Sequence, residues 1–228
     1  MKITYFGHAA FQIQLDSGST LLFDPFISEN PFTRVKPEDL QPDFIVLTHA
    51  HPDHLGNAIE IAKKNDATIV AQSDFANVLS ETEGVKVINY LNFGGTYYGP
   101  EFQLKLFPAW HTDAMDYHGI PLPMGVAAGF SLVAEGKLIY DSGDTGLYSD
   151  LKLVARKKAV DLAFLPIGGS FTMDAEDAAE AAKYLDAKKV IPIHYNTFDP
   201  IKADPIAFQQ YLPAGIVDLP KIDQEFEF

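Results

Sequence analysis

Three of the chain's seven histidines fall within six residues, in Thr48-His49-Ala50-His51-Pro52-Asp53-His54. Imidazole and carboxylate are ligands for Zn, Mn or Fe(II), and each must aim a lone pair at a common point. In a tight loop, residues one or two apart point to either side. His49 and His51 can then face one metal while Asp53 and His54 face a second beside it. Idle, solvated histidines on a surface loop are the plain alternative. Against that stands the preceding run, Asp43-Phe44-Ile45-Val46-Leu47-Thr48, which reads as a strand buried on both faces. Open α/β sheets place their ligand sites at the C-terminal ends of such strands. Two ligands hold a metal weakly, so more donors are needed, and three occur in the same context. His111 follows Leu106-Phe107-Pro108-Ala109-Trp110, Asp144 follows Leu138-Ile139-Tyr140-Asp141-Ser142-Gly143, and His194 follows Val190-Ile191-Pro192-Ile193. Taken singly, the two histidines read as structural and the aspartate as a turn residue; jointly the three complete a ligand set.

The pattern His49-x-His51-x-Asp53-His54, followed in order by His111, Asp144 and His194, resembles the metallo-β-lactamase superfamily. Gly7-His8-Ala9, Gly168-Gly169-Ser170-Phe171-Thr172-Met173 and Pro192-Ile193-His194-Tyr195-Asn196-Thr197-Phe198 resemble a narrower branch, small metal-dependent hydrolases related to ascorbate-phosphate lactonase. The resemblance spans nearly the whole chain. It implies an α/β fold, a four-layer αββα sandwich of two mixed β-sheets packed face to face with helices outside. It implies two divalent metal ions, zinc foremost, with manganese, iron or nickel as alternatives. His49, His51 and His111 would hold the first metal, Asp53, His54 and His194 the second, and Asp144 would bridge them.

A bound divalent metal lowers the pKa of water from 15.7 to about 7, so hydroxide is available without a strong side-chain base. Asp53 is placed to orient that nucleophile and accept its proton. The expected reaction is hydrolysis of a small ester, lactone or phosphoester. With 17 Lys+Arg against 31 Asp+Glu the net charge is −14. Two divalent ions, two carboxylates and a hydroxide leave about +1 at the site by formal counting. A singly anionic small molecule suits that balance. A long polyanion does not, and an acidic chain lacks the basic surface that nucleic acid or an anionic membrane requires. The chain has no cysteine, which excludes disulfides and thiolate chemistry and fits a reducing, cytoplasmic setting. Self-association is left open. Two readings from other classes stand beside the hydrolase: a non-haem di-iron redox or sensor protein on the same scaffold, and a non-catalytic metal-binding module.

The elements that must position these residues are short. Strands are expected at Ile3–Phe6, Phe11–Leu15, Thr20–Phe23, Thr68–Ala71, Val85–Tyr90, Phe102–Ala109, Phe130–Val133, Leu138–Tyr140, Asp161–Ile167 and Val190–Ile193. Helices are expected at Leu55–Lys64, Phe75–Leu79, Leu147–Ala155, Asp174–Leu185 and Pro205–Leu212. The 228 residues suit a single domain with two similar halves meeting near 120–130. Asn30–Pro42 and Thr112–Gly125 read as loops, the latter a candidate cover for the pocket. His8 follows the first strand and can reach the site, to donate to substrate or to orient a ligand. His118 is expected to be exposed and inert, Trp110 and Tyr195 to pack in the core. Gly168-Gly169-Ser170 is expected to be a plain strand-to-helix connection, with anion binding by its N–H groups as the alternative.

Overall fold

The computed structural model describes residues 1–228 and the side chains of all but Tyr117. The first sheet is built from β1 (Lys2–Gly7), β2 (Ala10–Gln14), β3 (Thr20–Phe23), β4 (Phe44–Val46), β5 (Thr68–Val70) and β6 (Val87–Ile88). The second holds β7 (Thr96–Tyr98), β8 (Phe102–Tyr117), β9 (Ile120–Ala134), β10 (Lys137–Asp141), β11 (Leu162–Pro166) and β12 (Val190–Ile193). A last strand, β13 (Glu225–Glu227), returns to the first sheet beside β1. The strand orders are β13-β1-β2-β3-β4-β5-β6 and β12-β11-β10-β9-β8-β7. Both sheets are mixed, and they follow one plan: antiparallel hairpins first, then parallel strands reached by crossovers.

Alternation along the strands explains the layers. In β2 and β3, Phe11, Ile13, Leu21 and Phe23 face the second sheet, while Ala10 and Leu22 face outward onto helices. Phe11 stacks between Phe23 and Phe164, with ring centroids 4.4 and 3.8 Å away. Helices α2 (Ala58–Asn65) and α3 (Ser73–Glu83) cover the outer face of the first sheet. Helix α4 (Ala175–Tyr184), capped by the Asp174 side chain on the Asp177 N–H, covers the second through its alanines. Strands such as β4 and β11 are thus apolar on both faces, as parallel strands between two layers must be. The result is the expected αββα sandwich of two mixed sheets. No helix among the described residues is long and apolar enough to cross a membrane.

Several local expectations are corrected. The helix expected at Leu55–Lys64 is two, a short α1 (Pro52–Leu55) and α2, broken at Gly56. Gly56 has φ +42°, and a Cβ there would lie 2.4 Å from the Pro25 carbonyl oxygen. The segment expected to be helical at Leu147–Ala155 is only a 3₁₀ turn at Ser149–Leu153. The last helix, α5 (Pro205–Phe208), runs on as a 3₁₀ turn over Gln209–Tyr211. Residues 112–125 are not a loop. They continue β8 and β9 into a hairpin, paired from Thr112↔Val126 to Tyr117↔Ile120. Met115 and Met124 dock that hairpin against the helix layer of the first sheet. The chain passes between sheets after Ile88 and before Thr96, whereas residues 120–130 lie within β9. Trp110, expected in the core, is 72% exposed.

Two stability predictions follow from the packing. Gly56→Ala forces both a left-handed alanine and a clash with backbone, a cost of about 1–3 kcal/mol. For a chain this long, calorimetry should show Tm lowered by roughly 2–12 °C. Asp161 joins the start of β10 to the crossover: it accepts the Leu138 N–H and pairs with Lys158 and Lys188. Burial pushes its carboxyl up, but the two lysines and the N–H outweigh that and hold it at about 2, against 3.8 ordinarily. The stabilisation is present above pH 3.8 and fades as pH falls through about 2. Asp161→Asn should therefore be less stable than wild type in urea titrations at neutral pH, with the gap closing towards pH 2.

Candidate metal centre

Strand ends, and one bulge, bring all seven expected ligands and His8 together. His8 follows β1, His49, His51, Asp53 and His54 follow β4 or lie in α1, Asp144 follows β10 and His194 follows β12. His111 differs from expectation. It lies within β8, where the pairing with β9 jumps from Pro108↔Ala128 to Thr112↔Val126. Three residues there oppose one, a bulge of the kind that re-aims a side chain.

The donor atoms form three sets, each with all its members within 4.8 Å of one another: His49, His51 and His111; His8, Asp53, His54 and His194; and His49, His54 and Asp144. Asp144 thus stands with one histidine from each of the other sets. His51 Nδ1 lies 2.9 Å from His49 Nε2 and 3.2 Å from His111 Nε2. Asp144 Oδ2 lies 3.0 Å from His194 Nε2, 3.4 Å from His54 Nε2 and 3.6 Å from His111 Nε2. Asp53 Oδ2 lies 3.1 Å from His8 Nε2 and 3.6 Å from His194 Nε2.

A residue outside the expected set directs two of these histidines. Asp24, wholly buried after β3, accepts the Thr48 N–H at 2.8 Å and the Thr48 hydroxyl at 2.5 Å. It also faces His54 Nδ1 at 2.7 Å. A carboxylate only accepts, so Nδ1 carries a proton and Nε2 is the atom left to face the cleft. The Thr48 hydroxyl, having given its proton to Asp24, accepts from His49 Nδ1 at 3.0 Å, and His49 Nε2 is fixed in the same way. Asp24 could have been found by the reasoning that found Asp144, since it too follows a strand. Asp24-Pro25 reads first as a turn, which hides it. Gly168 supports the site in a way its sequence context does not announce: a Cβ there would lie 2.4 Å from the His194 carbonyl oxygen. Asp113 in the hairpin accepts the Ala50 N–H at 2.8 Å and so braces the histidine loop. Burial pushes its carboxyl up to about 6, against the pull of that N–H.

Electrostatics divide the site. Burial, and for His49 the nearby His54, lowers His49, and burial likewise lowers His51 and His111. All three are neutral at pH 7, the form in which imidazole binds metal. Burial opposes charge on His54 and His194 as well, but Asp144 outweighs it, helped by Asp24 at His54 and by Asp53 at His194. His194 rises to about 9. Burial would raise Asp53 and Asp144, yet their histidine partners hold both below the usual carboxylate range. His8 is lowered to about 4 by burial, against the Asp53 hydrogen bond. Being neutral, it donates Nε2–H to Asp53 while its Nδ1 takes the Thr197 hydroxyl at 2.8 Å. His8 therefore orients a carboxylate.

The residues fit divalent cations. His54 Nε2, Asp144 Oδ1 and His194 Nδ1 are buried without a hydrogen-bond partner. Such atoms are costly unless something else satisfies them, and His54 Nε2 is the one that faces Asp144 in the cleft. Three residues here, His8, Asp24 and His194, also hold left-handed backbone, with φ of 57°, 37° and 52°. Such strain gathers at functional sites. The adjoining cleft, about 360 Å³, is lined by His51, Pro52, Asp53, His111, Thr112, Asp144, Phe171 and His194. Tyr195 packs half-buried against the outer core of the second sheet, and Gly168–Ser170 is a strand-to-helix connection whose Ser170 hydroxyl donates to the Pro200 carbonyl.

Comparison with known proteins agrees with the architecture. The beta-lactamase superfamily domain matches residues 2–194. A "UPF0173 metal-dependent hydrolase" of Oenococcus oeni is 53% identical, with 100% of each chain covered. Another of the same name, from Ligilactobacillus salivarius, is 51% identical over 100% of each chain. A solved metallo hydrolase from the archaeon Ignicoccus hospitalis is 36% identical, with a TM-score of 0.88 over 100% of this chain and 98% of that one. The chain belongs to the metallo-β-lactamase superfamily, within the UPF0173 metal-dependent hydrolases.

Proposed function

We propose that the protein is a binuclear metal-dependent hydrolase that cleaves a small ester, lactone or phosphoester. The observation that carries this reading is the overlap of the donor sets: Asp144 lies within 4.8 Å of His49 from one group and His54 from the other. In this reading His49, His51 and His111 hold one divalent cation, Asp53, His54 and His194 the second, and Asp144 both; zinc suits this nitrogen-rich set best. When bound, such a pair supplies Lewis acidity, making water nucleophilic near neutral pH and polarising the scissile carbonyl or phosphoryl group.

The chain's own groups do the rest. Asp24 and Thr48 hold the His49 and His54 lone pairs on target. Asp53 is the carboxylate nearest solvent, 24% exposed against 3% for Asp144. With Oδ2 fixed by His8, it accepts the proton that the attacking water gives up and holds it for the leaving group. The cleft is at the small end of ligand pockets, and its lining has no Lys or Arg. A substrate therefore meets no lysine or arginine there. Phe171, 58% exposed, offers its rim an apolar face. The absence of cysteine fits a reducing compartment, and we read the enzyme as cytoplasmic.

The test is elemental analysis of the purified protein combined with a screen of lactones, esters and phosphodiesters. We expect close to two divalent ions per chain and turnover of at least one class. Protein that retains no metal, or that holds iron with a visible absorption and hydrolyses nothing, would overturn the reading. Asp144→Ala should lose both metal and turnover, and full metal content in that variant would refute the bridging role. Asp24→Asn touches no substrate but misdirects His54. Competition with a chelator should show metal affinity down about 10–100-fold.

A further inference from the structure

A second cleft lies on the outer face of the second sheet, away from the metal centre. Alternation along β8 and β9 turns Leu104, Leu106 and Leu132 into the core and leaves Lys105 on the opposite face. The helix layer formed by α4 packs over β11, and the β7–β9 part of the face carries this cleft of about 440 Å³ instead. Its far wall is the segment after the 3₁₀ turn at 149–153. The chain is strongly acidic, with 17 Lys+Arg in all, yet five of these, Lys105, Lys137, Arg156, Lys157 and Lys158, line this one cleft. No Asp or Glu is among the lining residues.

The nearby carboxylates are already engaged. Glu135 accepts the Asp16 N–H and pairs with the Met1 amine at 2.9 Å. Asp161 pairs with Lys158 and Lys188. Two of the cations are held in place by backbone. The Lys105 ammonium donates to the Gly94 carbonyl, and that of Lys158 to Gly136, each at 2.6 Å. Lys137 lies 4.4 Å from the Phe228 ring centroid. An ammonium has three N–H donors, so Lys105 keeps two and Lys158, after Asp161, keeps one. Among the described residues, no hydrogen bond or ion pair is recorded for the exposed Arg156 and Lys157 side chains. At the mouth stands Tyr98, its side chain 71% exposed and able to stack on a flat ring.

We propose that this cleft binds a nucleoside diphosphate, with the phosphates among the lysines and Arg156 and the base against Tyr98. The volume suits a ligand of that size. A compact cationic cleft in an otherwise acidic surface concentrates such an anion. Lys137 opens the five-residue β10 and Asp144 lies three residues past its end, so the length of that strand, about 16 Å, separates the two sites. Occupancy here leaves the metal cleft free.

The experiment is an amide NMR titration of the protein as purified with ADP, with pyrophosphate as the second arm. We expect saturable shifts at Tyr98, Lys105, Lys137 and Arg156, with a dissociation constant on the order of 0.1 mM at low salt. The exposed double variant Arg156→Glu/Lys157→Glu should weaken ADP at least tenfold while metal content stays unchanged. Shifts confined to His51 and His111, equal affinity in the double variant, or no shift at several times that concentration would each overturn the site. Tyr98→Ala should bring ADP down to the affinity of pyrophosphate. ADP no tighter than pyrophosphate in the wild type would remove the base from the assignment.

Discussion

The site depends on a buried anion, Asp24, and on how completely it is satisfied. Removing a carboxylate from water costs several kcal/mol unless donors replace the solvent. Here the Thr48 amide, the Thr48 hydroxyl and His54 Nδ1 all converge on it. Each donor is itself constrained by the bond, and through Thr48 the constraint reaches His49. Lone-pair direction, which a histidine in a mobile loop would choose freely, is thereby set before any cation arrives. The fold makes this arrangement available because β3 and β4 are parallel neighbours, so the residues just past their ends, Asp24 and Thr48, meet side by side.

The same geometry explains why so much of the centre was legible in one sequence. A buried apolar strand followed by His or Asp is a local pattern, and it recurs at β4, β10 and β12. What joined these separate points was the spatial rule that parallel strand ends share one edge. Legibility failed where a residue's role depended on a neighbour distant in sequence. Nothing near Gly168 announces the His194 carbonyl against it, and nothing near His8 announces Thr197. The prolines and glycines of 112–125 read as breakers. In a two-stranded extension with no further neighbour, Pro121 and Pro123 withdraw no ladder bond that another strand needs. Trp110 has the type of a core residue, but its place in the bulge turns it to solvent.

Charge is distributed with the same economy. The metal cleft is a place where carboxylates outnumber free cations, suited to gathering metal rather than anion. Four of the chain's lysines, with Arg156, gather instead in the cleft on the outer face of the second sheet. An acidic protein with separate anionic and cationic recesses can hold two chemically unlike partners without either competing for the other's seat, provided the strand between them stays rigid. β10 is buried on both faces and paired on both edges, which supplies that rigidity.

The bulge at 109–111 has a consequence for how this protein can vary in length. Beyond it, every side chain of the β8–β9 hairpin inherits a parity: Asp113 and Met115 face the histidine loop and helix layer only because an odd number of residues precedes Thr112 in the bulge. Loss or gain of a single residue there would invert that parity along the whole arm. The brace on Ala50 would swing to solvent, and its neighbours would take the inner face. Insertions at the tip near His118 and Gly119 shift no such phase. Length change is therefore tolerated at one end of the arm and, at the other, only in steps of two.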